Sequence, residues 1–96
     1  ESISAGLDYP GVSPIHCFLK DVNRAKYTYA TDEDALNAYR LVTKFEKLNP
    51  SLEPSHAFAE AIKIAPKLSK DTILIVNSCG DAKKDRDILK KRLGKY

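Results

Sequence analysis

The run Thr72-Ile73-Leu74-Ile75-Val76 is almost unbroken in β-branched and apolar residues, and it constrains the fold more than any other feature of the chain. A strand without polar alternation suits a sheet covered on both faces, as in parallel α/β architectures. One other segment reads as a strand: Ala25 to Ala30 (AKYTYA), short and rich in Tyr and Thr. Two strands cannot build a doubly covered sheet by themselves. The run therefore demands neighbours, from a longer chain, from other chains or from a swapped second copy.

Helices account for most of the rest. Thr31 is placed to cap a helix, with Asp34 completing a capping box and Asp32 and Glu33 at the positive end of the dipole. Ala35, Leu36, Tyr39, Val42 and Phe45 recur on one face, and the helix should stop before Asn49-Pro50. A second helix is predicted from Pro54, a residue suited to a first helical position. Its apolar face is Ala57, Phe58, Ala61, Ile62 and Ala65, and Pro66 ends it. A last helix runs from about Asp81 to Leu93, with Ile88, Leu89 and Leu93 inward and Gly94 just beyond its end. Residues 1–24 read as loop, punctuated by Gly6, Pro10, Gly11 and Pro14, with at most one helical turn at His16 to Leu19. A loop this long in a small chain is usually functional. The order is loop-β-α-α-β-α, an α/β arrangement.

The 96 residues suffice for one small domain, which buries only about 60–65% of its unfolded surface. With 43% hydrophobic and 30% charged residues the balance is that of a globular chain. No apolar run approaches the ~18 residues of a membrane helix, and no signal peptide is visible. Cys17 and Cys79 fit neither a zinc knuckle nor a redox pair, and so few cysteines suggest a reducing, cytoplasmic setting, with a disulfide between them left open. The net charge of +3 is concentrated after Lys83, where Lys84, Arg86, Lys90, Lys91, Arg92 and Lys95 follow. Such a run can contact nucleic acid. A solvated helix face is the favoured reading, because no aromatic side chain interleaves the charges before Tyr96.

Three places carry candidate chemistry. Asn77-Ser78-Cys79-Gly80 leaves the carboxyl end of the apolar run and enters a helix, the position where ligands bind in open α/β sheets. Its N–H groups suit an anion, and Ser78 or Cys79 a ring nitrogen; the plainer alternative is an ordinary turn. Glu53 at a helix start, with His56 one turn on, suits acid–base work or, more simply, the helix dipole. Asp8, in Gly6-Leu7-Asp8-Tyr9-Pro10-Gly11, reads first as a turn residue; it can also meet a substrate hydroxyl, and the nearby carbonyls can collect a monovalent cation. No phosphate-cradling glycine loop, metal cluster or Ser–His–Asp set is visible.

Taken together, ESISAGLDYPGVSP, YATDEDALNAYRL, NPSLEPSHAFAEAIKIAPKL and DTILIVNSCGD resemble, in that order and at matching spacing, the C-terminal part of the tryptophan synthase β chain. The resemblance runs from Glu1 to about Asp85, and SISAGLDYPGV and LExSHAxAxAxK are its most specific motifs. It implies one segment of a larger, mostly parallel three-layer sandwich, the fold type II of enzymes using pyridoxal 5′-phosphate (PLP). Residues 1–24 would be its active-site and cation loop and residues 25–96 a βααβα unit. The family joins L-serine and indole to give L-tryptophan, in a complex of two β chains, which pair with each other, and two α chains. The resemblance assigns Asp8 to the substrate, Glu53 to the cofactor ring, Cys79 to the pyridine nitrogen in place of the family's serine, and Gly80 and Ser78 to the same loop. The Tyr9 and Gly11 carbonyls would bind Na⁺ or K⁺. Asp8 and Glu53 are thus the expected catalytic pair.

The departures are local. The family's Gly-Arg-Gly-Asp-Lys-Asp is here Gly80-Asp81-Ala82-Lys83-Lys84-Asp85, its Gly-Ile-Ile-Pro is Lys47-Leu48-Asn49-Pro50, and its Val-Gly-Pro is Val12-Ser13-Pro14. The Schiff-base lysine, the phosphate cup and the indole tunnel belong to family residues without a match here. The expectation is therefore an enzyme segment that is inactive by itself. The alternative is a degenerate or non-catalytic fold fragment used for structure or protein association through exposed strand edges.

Overall fold

A computed structural model describes residues 1–94. A 3₁₀ turn at Ala5–Leu7 precedes helix α1, Pro14–Asp21. Helices α2, Asp32–Glu46, and α3, Leu52–Ile64, pack on one another; α3 runs into a 3₁₀ turn at Ala65–Lys67. After an irregular stretch, a 3₁₀ turn at Ala82–Asp85 leads directly into α4, Arg86–Leu93. The core is small: Leu36 and Tyr39 of α2, Leu52 of α3, Ala82 and Leu89, with Ile3, Ile88 and Leu93 against them.

The α/β expectation needs correcting. No strand is formed among the described residues, neither at 25–30 nor at 72–76. Ile73 and Ile75 are 86% and 87% exposed. A helix satisfies its hydrogen bonds internally, whereas a strand needs an external ladder, and neither segment finds one. The surface carries the same message. A compact monomer of this mass exposes about 5500 Å², but the chain exposes 7564 Å² in a flat body of 43 × 37 × 19 Å. The predicted inner face of α3 is only partly covered for the same reason: Ala57, Ile62 and Ala65 are exposed, and Phe58 and Ala61 are half-buried.

The local signals around α2 and α4 hold, except that Phe45 of the predicted α2 face is exposed. The Thr31 Oγ1 accepts from the Asp34 N–H at 3.2 Å while Asp34 Oδ2 accepts from the Thr31 N–H at 2.9 Å, and this hydroxyl partner holds the Asp34 carboxyl below its ordinary value. Gly94 closes α4 with a φ of 71°. The end of α2 is less comfortable: Lys47 adopts the left-handed conformation, φ 58°, at the position where the resembling family carries glycine. A side chain there costs about 1–2 kcal/mol relative to a right-handed residue.

Three boundaries shift. Residues 1–24 contain two turns of helix rather than one, because Ser13 accepts from the Ile15 N–H and Pro14 opens α1; α1 buries none of its residues. Helix α3 begins at Leu52 rather than Pro54. Its Ser51 provides no side-chain cap; instead Asp85 Oδ2 accepts the Leu52 N–H at 2.9 Å, across 33 residues of sequence. The start predicted for the last helix is a 3₁₀ turn, with Asp81 accepting the Lys83 N–H at 2.8 Å. Cys17 and Cys79 are both free thiols. Among the described residues no helix is long and apolar enough to cross a membrane. Lys95 and Tyr96 of the predicted basic run lie outside the described residues.

Candidate functional site

The start of α3 is the meeting point of the chain. The buried Asp85 carboxylate holds the Leu52 N–H with one oxygen and lies 3.3 Å from the Lys84 ammonium with the other. Lys84 Nζ reaches on to both oxygens of Glu53, at 2.7 and 2.8 Å. Glu53 Oε1 also accepts the Gly6 N–H at 2.9 Å. The approach is so close that a Cβ on Gly6 would sit 2.7 Å from that oxygen. Burial alone would raise the Glu53 carboxyl, but the Lys84 ammonium, its own N–H, the Gly6 N–H and the Ser51 hydroxyl together hold it down to about 2. Lys84 responds in the opposite sense: Glu53 raises its ammonium above the ordinary lysine value.

The 77–80 loop is tied to the same helix start. The Ser51 hydroxyl donates to the Cys79 carbonyl at 3.1 Å. Gly80 has a φ of 82°, and a Cβ there would stand 2.9 Å from the Ser51 Oγ; both the backbone conformation and the packing call for glycine. The Cys79 thiol itself is exposed.

A cleft of about 1010 Å³ opens beside α3. Glu53, His56 and Glu60 of α3 line it, together with Asp32, Tyr29 and Leu74 to Asn77. His56 is fixed in it by a 2.7 Å contact between Nδ1 and the Leu52 carbonyl, which assigns the proton to Nδ1 and leaves Nε2 3.8 Å from Asp32.

Of the expected site residues, Glu53, Gly80 and Cys79 converge on the start of α3, and the opening loop joins them through Gly6. Asp8 folds back to accept the Ser2 N–H at 3.1 Å and is not among the residues lining the cleft. Tyr9, Gly11 and Ser78 are exposed. Sequence reasoning overlooked Lys84, Asp85 and Ser51. Lys84 was submerged in a run of basic residues, although Lys84 and Asp85 keep the residue types of the family's Gly-Arg-Gly-Asp-Lys-Asp.

No family model matches the chain. Individual relatives do. The tryptophan synthase beta chain of Allorhizobium ampelinum is 52% identical over 93 residues, 97% of this chain and 23% of the relative. That of Ruegeria pomeroyi is 53% identical over 93 residues, 97% of this chain and 22% of the relative. That of Fusobacterium nucleatum is 57% identical over 84 residues, 88% of this chain and 21% of the relative. The chain thus spans less than a quarter of the length of the curated relatives it matches. Over nearly its whole length it belongs with the C-terminal segment of the tryptophan synthase beta chain family.

Proposed function

We propose that this chain supplies one wall of a PLP-dependent lyase site of the tryptophan synthase β type, joining L-serine and indole, and that the 96 residues alone are inactive. The observation that carries the reading is the convergence on Glu53 of Gly6, Lys84 and, through Ser51, the Cys79–Gly80 loop. These segments are far apart in sequence; the opening loop and the start of α3 match motifs of the family, and the Cys79–Asp85 stretch keeps its Gly80, Lys84 and Asp85. The remainder of a β chain, a second β chain and an α chain are the proposed partners, and the cytoplasm the proposed setting.

The residues present fit one edge of the cofactor. A free thiol at Cys79 can hydrogen-bond a ring nitrogen without forcing it to carry a proton, as an aspartate would. Glu53, beside an open cleft, is an ionised carboxylate able to accept a proton. When bound, PLP supplies the electron withdrawal that lets the serine hydroxyl depart and a nucleophile add. Asp8 would contact the incoming side chain, and the carbonyls of Tyr9 and Gly11 would hold the cation. Gly80 and Ser78 would shape the loop around the ring nitrogen.

The test is tryptophan formation from serine, indole and PLP by the 96-residue chain and by a longer natural chain that contains it. No product from the first and product from the second, reduced about a hundredfold or more by Glu53→Gln, is the expected result, a hundredfold being about the lower bound for losing a proton-transfer group. A longer PLP-bearing chain that forms no tryptophan overturns the reading. The second reading, a non-catalytic association module, draws on the exposure of Ile73 and Ile75; it predicts self-association of the 96-residue chain that Ile75→Lys abolishes.

A further inference from the structure

We infer that Lys84 is the positioning residue for Glu53. Seated by Asp85, it clamps both carboxylate oxygens so that Glu53 stays ionised and fixed at the edge of the cleft. The inference rests on the reading of Glu53 as an active-site group.

The geometry is that of a relay with one buried end. Asp85 is 3% exposed, and its position is set by the Leu52 N–H at 2.9 Å. That anchor fixes where Lys84 stands, 3.3 Å away, and Lys84 spans to Glu53 at 2.7 and 2.8 Å. On the far side Glu53 is stopped by Gly6, whose N–H binds it and whose missing Cβ gives it room. The carboxylate is therefore gripped from the opening loop, from the Ala82–Asp85 turn and from its own helix. A surface lysine usually contributes little to such a pair. This one differs because its own partner is buried and hydrogen-bonded to backbone.

The charged groups around Glu53 are few. The Ala82–Asp85 turn contributes Lys84 and Asp85. His56 lies one turn along α3, with Asp32 beyond it at 3.8 Å. Glu1, Glu33 and Glu60 line the same cleft. Lys84 is the cation in direct contact with the carboxylate, so its removal should be felt more than that of any neighbour.

Carboxyl carbon NMR of the 96-residue chain reads the clamp directly. Lys84→Met should raise the Glu53 midpoint by about one pH unit or more, the effect of losing an opposite charge in contact, while Lys84→Arg should largely preserve it. A Lys84→Met midpoint equal to that of the wild type overturns the proposal. Should that variant unfold, Glu53→Gln gives the second reading: a Lys84 ammonium whose titration does not move between the wild type and Glu53→Gln is equally fatal. In a longer chain that makes tryptophan, Lys84→Met should move the acid limb of the kcat profile to higher pH and Lys84→Arg should not. An unmoved limb in Lys84→Met removes the positioning role. An activity indifferent to Glu53→Gln instead removes the reading of Glu53 itself, while the NMR shift stands.

Discussion

Two apolar regions of this chain meet opposite fates. Leu36, Leu52 and Leu89 are buried within a junction of α2, α3 and α4. Ile73 and Ile75, more hydrophobic and closer-spaced, stand in solvent. The difference is one of hydrogen bonding before it is one of hydrophobicity. A helix carries its own bonds, so its apolar stripe can be satisfied by a single neighbour. A strand brings unsatisfied donors and acceptors on both edges and apolar groups on both faces. A short chain can meet the first demand and not the second.

The contrast can be broken most decisively in the core. Leu89→Ala should destabilise the chain by about 2–5 kcal/mol in chemical denaturation, whereas Ile75→Ala should stay within about 0.5 kcal/mol. A comparable loss at both positions would mean that the 72–76 run is packed after all. In a longer chain where a sheet forms around that run, Ile75→Ala should become as costly as Leu89→Ala.

A smaller effect tests the polar half of the junction. Asp85→Ala removes the cap of α3 and the seat of Lys84 together, and should cost about 1–3 kcal/mol. Helix loss near residue 52, followed by amide exchange, would localise it. The acid response sharpens the same point. The Glu53 carboxyl is depressed from 4.5 to about 2, so its contribution is complete above pH 4.5 and disappears as pH falls towards 2. Stability should decline through that window in the wild type and more gently in Glu53→Gln; identical slopes would deny the clamp. The smallest effect is a gain. Lys47→Gly relieves the left-handed end of α2 and should raise the melting temperature by a few degrees, corresponding to up to about 1 kcal/mol.

What could be read in the sequence follows the reach of each interaction. The Thr31–Asp34 box and the Gly94 terminator act over a turn of helix, and both are as expected. The cap of α3 was misplaced because its acceptor comes from Asp85, 33 residues on, and local pattern offered Pro54 instead. Both strands carried a valid composition, but pairing is a property of neighbours that no pentapeptide contains. In the candidate site, Glu53 and Gly80 were legible because an acid at a helix start and a glycine in a strand-to-helix turn have local meaning. Lys84 was not, since a lysine among six other basic residues, Lys83 to Lys95, differs from them only by what it touches.

The long-range cap has a consequence for the order of events as the chain is made. When Leu52 is added to the growing chain, the carboxylate that will hold its N–H is still 33 residues from being synthesised. Helix α2, with its own box, can form on emergence, but the first turn of α3 must wait. Glu53 lies in that turn. The group with the most to do in the proposed chemistry is thus set in place late, after the turn at Ala82–Asp85 has been delivered to close the junction.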